Sequence, residues 1–248
     1  GGVHSEFTIA KESDESYYLV SAGAFQRLDH DWIRKWMPTD RSVFFEDLTN
    51  SIGVLVVAGP KARDLLSKIS DADFSNKAFP WLSAQKIDVG LAPSIAMRMN
   101  FVGELGWELH HPIEYQNHIF DKLIEAGEEF GVKPFGIRAM DSLRIEKTYK
   151  LVGTEMSIEY AAYESGLDRF VHLNKGDFIG RDALLLEKNE NYKRRISFEM
   201  LERAVPRHNY DIIVDGKITG KVTSGTQSPT LDKGIGIGYI QADHSAPG

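Results

Sequence analysis

Apolar residues recur along the chain at the spacings that separate helices from strands. Several segments carry them three or four positions apart, which predicts amphipathic helices. Shorter runs of Val, Ile, Tyr and Phe, bounded by Gly, Pro, Asn and Asp, predict strands. The predicted helices cover 24–37, 61–69, 114–130 and 136–149, and the predicted strands cover 1–10, 17–20, 43–48, 52–58, 85–89, 94–100, 101–109, 195–200, 210–214, 217–223 and 236–240, with a strand, turn and helix start across 171–181.

The most informative segment runs from 101 to 153, where polar residues interrupt an apolar frame. Gly103 and Gly106 punctuate its first strand, which indicates a bend or a close approach of the backbone to a ligand. Glu104 and Glu108 have even spacing, so a regular strand would place both on one face. The second helix of this segment carries arginines away from its apolar side. We therefore expect a polar site built from this strand and this helix.

The order of the predicted elements indicates an α+β protein. Between 52 and 149 the elements follow a β-α-β-β-α-β order, which is typical of a ferredoxin-like unit. After the charged segment 187–193, short strands separated by turn residues suggest a small β-barrel. We predict three parts: 1–50 as a partial N-terminal α+β domain, 51–186 as a central α+β region, part of which could return to the first domain, and 187–248 as a partial C-terminal β-barrel.

Composition and charge exclude several classes of function. The 248 residues are 42% hydrophobic and 26% charged, and the net charge of −7 comes without a block of Lys or Arg, so no nucleic acid or membrane partner is expected. No apolar run reaches membrane-spanning length, and residues 1–6 resemble no targeting peptide. The chain has no cysteine, which excludes disulfides and thiolate metal sites. We therefore predict a cytoplasmic protein.

Sequence motifs for metal, nucleotide and nucleophile chemistry are missing. His110, His111 and His118 lie close in sequence but lack HExxH spacing, so surface or packing roles are expected and no metal site is predicted. The turn at Gly59 and Pro60 has neither a GxGxxG pattern nor a P-loop lysine, and it predicts an ordinary strand-to-helix connection. No flavin is therefore expected in this chain. No GxSxG nucleophile motif occurs either.

Two longer motifs carry a resemblance to a known family. VGELGWEL at 102–109 and GIRAMDSLRIEK at 136–147, with shorter matches at 1–3, 56–63, 178–181 and 223–230, resemble the glycine-cleavage T-protein (aminomethyltransferase) family. The resemblance runs the length of the chain and is closest to the folate-binding C-terminal region of dimethylglycine and sarcosine dehydrogenases. Val102 stands where the family has Thr. The resemblance implies a T-protein-like multi-domain fold with 51–186 as the folate-binding region, in a fragment incomplete at both ends.

The resemblance also assigns binding residues. It implies that Glu108 binds tetrahydrofolate, since a carboxylate can accept a two-point hydrogen bond from the pterin amino group and the adjacent ring N–H. Arg138 matches the family's substrate-contacting arginine, and Tyr149 matches an aromatic residue near the folate. Each has a plainer alternative: a solvated carboxylate for Glu108, an ion pair with Asp141 for Arg138, and packing at a helix end for Tyr149. Arg144 is expected to form a structural ion pair.

Glu6 is the predicted catalytic residue. The family commonly has two aspartates after its Gly-Gly motif, one of which serves the folate-dependent step, and Ser5 and Glu6 occupy those positions here. One carboxylate is therefore kept, on a side chain that is one methylene longer. The alternative is an exposed strand glutamate with no part in the chemistry.

The function implied by the resemblance is tetrahydrofolate-dependent one-carbon transfer. The chain would pass an iminium or aminomethyl carbon from a small donor derived from a methylated amine to the folate, giving 5,10-methylenetetrahydrofolate. In a dimethylglycine dehydrogenase-like enzyme, an upstream flavin domain would form the iminium. Two alternatives stay open. One is a folate-dependent demethylase of the same fold, and the other is a non-catalytic folate-binding module, which Ser5 and Glu6 favour.

Overall fold

The computed structural model describes residues 2–188 and 193–246. Gly1 of the 1–3 motif and most of the predicted boundary 187–193 therefore lie outside the described residues. The chain folds into two units, and the division into three predicted domains stays a prediction. The first unit comprises Gly1–Ile9, Leu19–Ile33 and Asp141–Gly248, and the second comprises Ala10–Tyr18 and Arg34–Met140.

Most helices and strands fall where the apolar pattern predicts them, and the α+β class is confirmed. The helices are α1 (Gln26–Trp36), α2 (Ala62–Leu66), α3 (Gln116–Gly127), α4 (Ile137–Glu146) and α5 (Arg181–Glu187), with short 3-10 turns at Gly23–Phe25, Ile113–Tyr115, Glu128–Phe130, Asp168–Phe170 and Ala242–His244. The strands are β1 (Thr8–Lys11), β2 (Tyr17–Val20), β3 (Ile52–Ala58), β4 (Ala84–Val89), β5 (Ala92–Met97), β6 (Gly106–Pro112), β7 (Lys193–Glu199), β8 (Asp211–Val214), β9 (Lys217–Ser228) and β10 (Lys233–Gln241).

Two predicted strands are wrong, and the predicted strand 1–10 is a strand only from Thr8 onward. Residues 43–48 have an irregular backbone, because Phe44 is 87% exposed and the apolar alternation there covers no core. Residues 171–181 begin with turns in place of a strand, since Gly176 and Gly180 adopt φ values of 99° and 89°, which interrupt an extended backbone. The helix start predicted in this segment is confirmed as α5.

The second unit is built on an antiparallel sheet with the strand order β3-β6-β5-β4. Apolar residues of α2 and α3 cover one face of this sheet, and the alternation of β6 buries Trp107 on that side. Phe74 and Phe79 pack edge to face against Trp107, with centroid distances of 5.3 and 6.0 Å. Because side chains alternate along a strand, Glu108 and His110 lie on the face opposite the helices.

The order of elements differs from the predicted β-α-β-β-α-β pattern, because three strands, β4 to β6, lie between α2 and α3, and the next long element after α3 is the helix α4. A tight turn separates β5 from β6. The Asn100 side chain accepts hydrogen bonds from the N–H groups of Val102 and Gly103, at 3.1 and 3.0 Å, and Gly103 adopts a φ of 73°. The chain therefore reverses from β5 directly into β6. Glu104 lies exposed in this turn, so the prediction that it shares a strand face with Glu108 is wrong.

The first unit contains a second antiparallel sheet, with the strand order β7-β10-β9-β8. Its strand β10 is buried along nearly its whole length, and Ile235 and Ile237 pack there with Ile145 of α4. These are the strands predicted for the C-terminal barrel. Within the described residues they form an open sheet, with β7 and β8 at its edges.

The described residues contain no helix with the length and apolarity needed to cross a bilayer. In the same part of the chain, no three or more His, Cys, Asp and Glu side chains come together in a group that could hold a metal ion.

Candidate functional site

Glu108 stands on β6, an interior strand of the second unit's sheet. Its partners across the sheet are Val56 of β3 and Met97 of β5. The Glu108 side chain is 20% exposed, Val56 keeps 40% exposure, and Met97 is buried. The carboxylate is therefore held on an apolar strip with one side accessible. This partial burial disfavours the plainer alternative of a fully solvated carboxylate.

Two polar side chains of the second unit, His110 and Tyr18, form a chain of contacts that begins at Glu108. His110 is 2% exposed, and its Nε2 lies 3.4 Å from Glu108 Oε2 while its Nδ1 lies 3.1 Å from the Tyr18 hydroxyl. The Tyr18 and His110 rings meet edge to face, with centroids 5.6 Å apart. Burial raises the pKa of Tyr18, and the charges of Glu108 and Glu12 raise it further. A recess of about 440 Å³, lined in part by Tyr18 and His110, lies beside this chain of contacts.

Arg138 belongs to the same unit as Glu108 and lies in the first turn of α4 with an exposed side chain. The plainer alternative for Arg138 is an ion pair with Asp141. The structure shows that carboxylate bound to Arg144, whose Nε and Nη2 lie 2.8 and 2.7 Å from Oδ1. Both the ion pair with Asp141 and the binding role of Arg138 stay predictions.

Glu6 lies in the first unit, on the segment before β1. Gly2 anchors this segment through a bridge to Ala161, and a β-carbon at Gly2 would lie 2.1 Å from the Ile158 carbonyl oxygen, so only glycine fits there. Glu6 is exposed by surface area, yet nearby protein atoms displace enough water from its carboxyl to raise its pKa, which the charge of Lys150 offsets only in part. Its carboxyl therefore holds a proton more readily than an ordinary glutamate.

Tyr149 also belongs to the first unit and directly precedes Lys150. Its side chain is exposed, and its backbone carbonyl accepts a hydrogen bond from Arg144 Nη1 at 3.1 Å. Burial, and then the charge of Arg195, lowers the pKa of Lys150. The charge of Lys150 offsets part of the rise in the pKa of Glu6, so the two side chains lie near each other. Tyr149 is the sequence neighbour of Lys150, and the predicted site residues Glu6 and Tyr149 therefore belong to the same part of this unit.

The first unit also holds a buried carboxylate that no sequence motif singles out. Glu155 is 0% exposed, and its Oε2 lies 3.1 Å from Arg144 Nη1. The same oxygen accepts hydrogen bonds from the Leu151 N–H and the Thr154 hydroxyl, at 3.0 and 2.9 Å, and Thr223 donates to Oε1 at 2.5 Å. Burial alone would raise the pKa of Glu155, but its hydrogen bonds and the Arg144 charge outweigh burial and lower it. The structural ion pair expected of Arg144 is confirmed.

Fold and polar residues together define a class of protein. The chain is an α+β protein of two antiparallel-sheet units whose candidate residues are carboxylates and an arginine. Carboxylates and arginines are side chains that can form paired hydrogen bonds with a flat ligand. Residues 1–175 match the GCVT N-terminal domain, and residues 193–248 match the glycine cleavage T-protein C-terminal barrel domain. The chain therefore belongs to the glycine cleavage T-protein family, which confirms the resemblance carried by its motifs.

Individual relatives agree with this assignment. The chain is 36% identical over 252 residues to an aminomethyltransferase of Thermoanaerobacter sp. (strain X514) and 35% identical over 252 residues to the mitochondrial dimethylglycine dehydrogenase of Homo sapiens. Both alignments cover 100% of this chain, but they span 67% of the first relative and 29% of the second. The chain thus corresponds to part of each relative's length.

A solved structure shares the fold. The glycine cleavage system aminomethyltransferase T from Bartonella henselae superposes with a TM-score of 0.85 at 21% identity, over 100% of this chain and 66% of that one. At this level of identity the match supports the T-protein fold of the chain and nothing finer.

Proposed function

We propose that this chain binds tetrahydrofolate as the folate-binding part of an aminomethyltransferase-like enzyme. The observation that carries the proposal is the setting of Glu108. Its carboxylate is held between two apolar cross-strand neighbours with one side accessible. A pterin edge presents an amino group beside a ring N–H, and one carboxylate can accept both hydrogen bonds. Val56, which keeps 40% exposure, supplies apolar surface against which a flat ring can pack.

The residues of this chain would mainly orient the folate. When bound, the folate supplies the nitrogens that form the new bonds to the transferred one-carbon unit, so the protein needs little covalent chemistry of its own. Glu6 would take the proton that a folate nitrogen releases as it bonds to the carbon, while the bond from that carbon to the donor's nitrogen breaks and the donor leaves as an amine. Its raised pKa makes it a better proton acceptor than an ordinary glutamate. Arg138 would contact the ligand from the unit that holds Glu108.

We propose that the product is 5,10-methylenetetrahydrofolate and the donor a small molecule derived from a methylated amine, in a cytoplasmic enzyme with a flavin domain upstream. The similar identities to an aminomethyltransferase and to a dimethylglycine dehydrogenase support a one-carbon donor of this kind. Ser5 and Glu6, in place of two aspartates, favour a second candidate: a module that binds folate without turnover.

Calorimetric titration of the chain with tetrahydrofolate, without oxygen, tests the binding proposal. Hydrogen bonds to a charged group contribute about 1.5–3 kcal/mol, so Glu108→Gln should weaken binding by about tenfold or more. Glu104→Gln is the matched control, because Glu104 lies exposed in the adjoining turn, and it should change affinity by less than about 1 kcal/mol. Equal affinities for wild type and Glu108→Gln would remove Glu108 from the site.

A turnover assay separates the two candidate functions. The chain is mixed with tetrahydrofolate and either an aminomethyl donor or an iminium donor, and the formation of methylene-folate is followed. Binding with product formation that Glu6→Gln abolishes supports the transferase. Binding without product from either donor supports the module.

A further inference from the structure

His110 is a buried histidine whose two ring nitrogens are both engaged, and one of them leads to Glu108. Its neighbour His111 lies on the other face of β6, where Nδ1 is 3.0 Å from the Leu109 carbonyl oxygen and Nε2 is 2.9 Å from Gln116 Oε1. His111 therefore ties the strand to α3, on the side that packs against the helices. His110 points the opposite way, toward the candidate ligand face.

The hydrogen-bonding capacities of the side chains determine the direction of the contact to Glu108. An ionised carboxylate can only accept, so the contact to Glu108 Oε2 requires a proton on His110 Nε2. A tyrosine hydroxyl can donate or accept, so the contact between Tyr18 and Nδ1 forms in either direction and holds the ring in place.

We propose that His110, held by Tyr18, is a positioning residue that fixes the orientation of the Glu108 carboxylate for its ligand. This inference rests on the proposed folate-binding function and adds a residue to that site. At 3.4 Å the contact between His110 and Glu108 is at the long end for a hydrogen bond, so its main effect is on orientation. The contact engages one oxygen of the carboxylate, Oε2, so the group can still accept hydrogen bonds from the two N–H donors of a pterin edge.

Two substitutions at position 110 separate positioning from packing. The amide nitrogen of a glutamine corresponds to Nε2 of histidine and can donate to Glu108. The amide nitrogen of an asparagine corresponds to Nδ1, so it reaches toward Tyr18 and stops short of Glu108. His110→Gln should keep tetrahydrofolate affinity within about threefold of wild type. His110→Asn should lose about tenfold, the effect of one of the two ligand hydrogen bonds that a correctly oriented Glu108 carboxylate would accept. His111→Gln, on the other face, is the control and should leave affinity within about twofold.

The same pair is then measured with Glu108→Ala as the background. A residue that acts through Glu108 loses its effect once that carboxylate is gone, so His110→Asn and His110→Gln should bind equally there. Equal losses for His110→Asn in both backgrounds, or equal affinities for His110→Asn and His110→Gln in wild type, would overturn the inference. If Glu108→Ala leaves no measurable binding, the comparison in wild type decides. Melting temperatures identify any variant that fails to fold.

This design separates the two proposals. Wild-type protein that fails to bind tetrahydrofolate refutes the proposed function. Wild-type protein that binds while His110→Asn binds as tightly refutes the positioning role of His110 and leaves the proposed function intact.

Discussion

The buried pair of Glu155 and Arg144 allows a sharp test of what holds the first unit together. Glu155→Gln keeps the size of the side chain and opens no cavity, so any lost stability comes from charge and hydrogen bonds. Removing one partner of a buried ion pair leaves the other charge uncompensated and typically costs about 3–5 kcal/mol. Asp141 still contacts Arg144 in this variant. We therefore expect a loss near the lower limit, about 3 kcal/mol.

Asp141→Asn is the matched control, because Asp141 binds the same guanidinium. The Asp141 side chain is 45% exposed and that of Glu155 is 0% exposed. Ion pairs that water reaches contribute about 0–1 kcal/mol, so Asp141→Asn should cost no more than this. The two variants thus compare two carboxylates that bind the same arginine and differ in burial.

Native-state hydrogen exchange at β9 and β10 measures the stability of the first unit directly. Urea unfolding with an unchanged slope would show that the variants alter stability without altering the unfolded chain. A loss below about 1 kcal/mol for Glu155→Gln, equal to that of Asp141→Asn, would refute the argument that the buried pair stabilises this unit.

The pH dependence of this contribution has a defined sign. The pKa of Glu155 is lowered in the folded state, so its carboxylate stabilises the fold above the usual value of 4.5, and this contribution is lost as pH falls through the folded-state pKa. The difference in stability between wild type and Glu155→Gln should therefore be constant at neutral pH and shrink below pH 4.5. A difference that shrinks on raising the pH would contradict the assignment.

Two further predictions concern the candidate site. The raised pKa of Glu6 means that its carboxylate costs stability above the usual value of 4.5, so Glu6→Gln should melt at a higher temperature than wild type at neutral pH and lose this advantage below pH 4.5. A lower melting temperature at neutral pH would refute this. Arg138→Ala should weaken tetrahydrofolate binding by about tenfold without a change in melting, while Lys133→Ala, an exposed cation in the same unit, should not. Collapse of the fold with normal binding by the remaining protein would make Arg138 structural.

Elements with a continuous apolar signal could be predicted from the sequence, because the signal is local. β3 forms where the run of apolar and β-branched residues between 52 and 58 predicts it, and α3 with its flanking turns follows the stripe at 114–130. The glycines at 103 and 106 predict a bend between β5 and β6, but the full reversal of the chain could not be predicted in this way. Apolar residues continue through Phe101 and Val102, and the reversal depends on one side chain, Asn100, which binds two backbone N–H groups.

The candidate site shows the same limit. Alternation along β6 places Glu108 and His110 on one face of the sheet, so their proximity could be predicted from the sequence. The contact between His110 and Tyr18 joins residues 92 positions apart, and no local pattern indicates it. Glu155 is a similar case, because its partner Thr223 is 68 positions away. In both cases a buried polar group finds its hydrogen-bond partner through a tertiary contact, and local sequence patterns do not predict such contacts.

Three glutamates in this chain differ in how fully the protein satisfies them, and this difference indicates which are available to a ligand. Glu155 is buried and takes hydrogen bonds from Arg144, Leu151, Thr154 and Thr223, which lower its pKa and leave it a structural role. Glu6 has a raised pKa, so the fold makes its charged form less favourable, as is common at functional sites. Glu108 lies between these cases, since His110 orients it while one side stays accessible. A carboxylate that is fixed in orientation and can still accept hydrogen bonds is the one best suited to bind the paired N–H donors of a ligand.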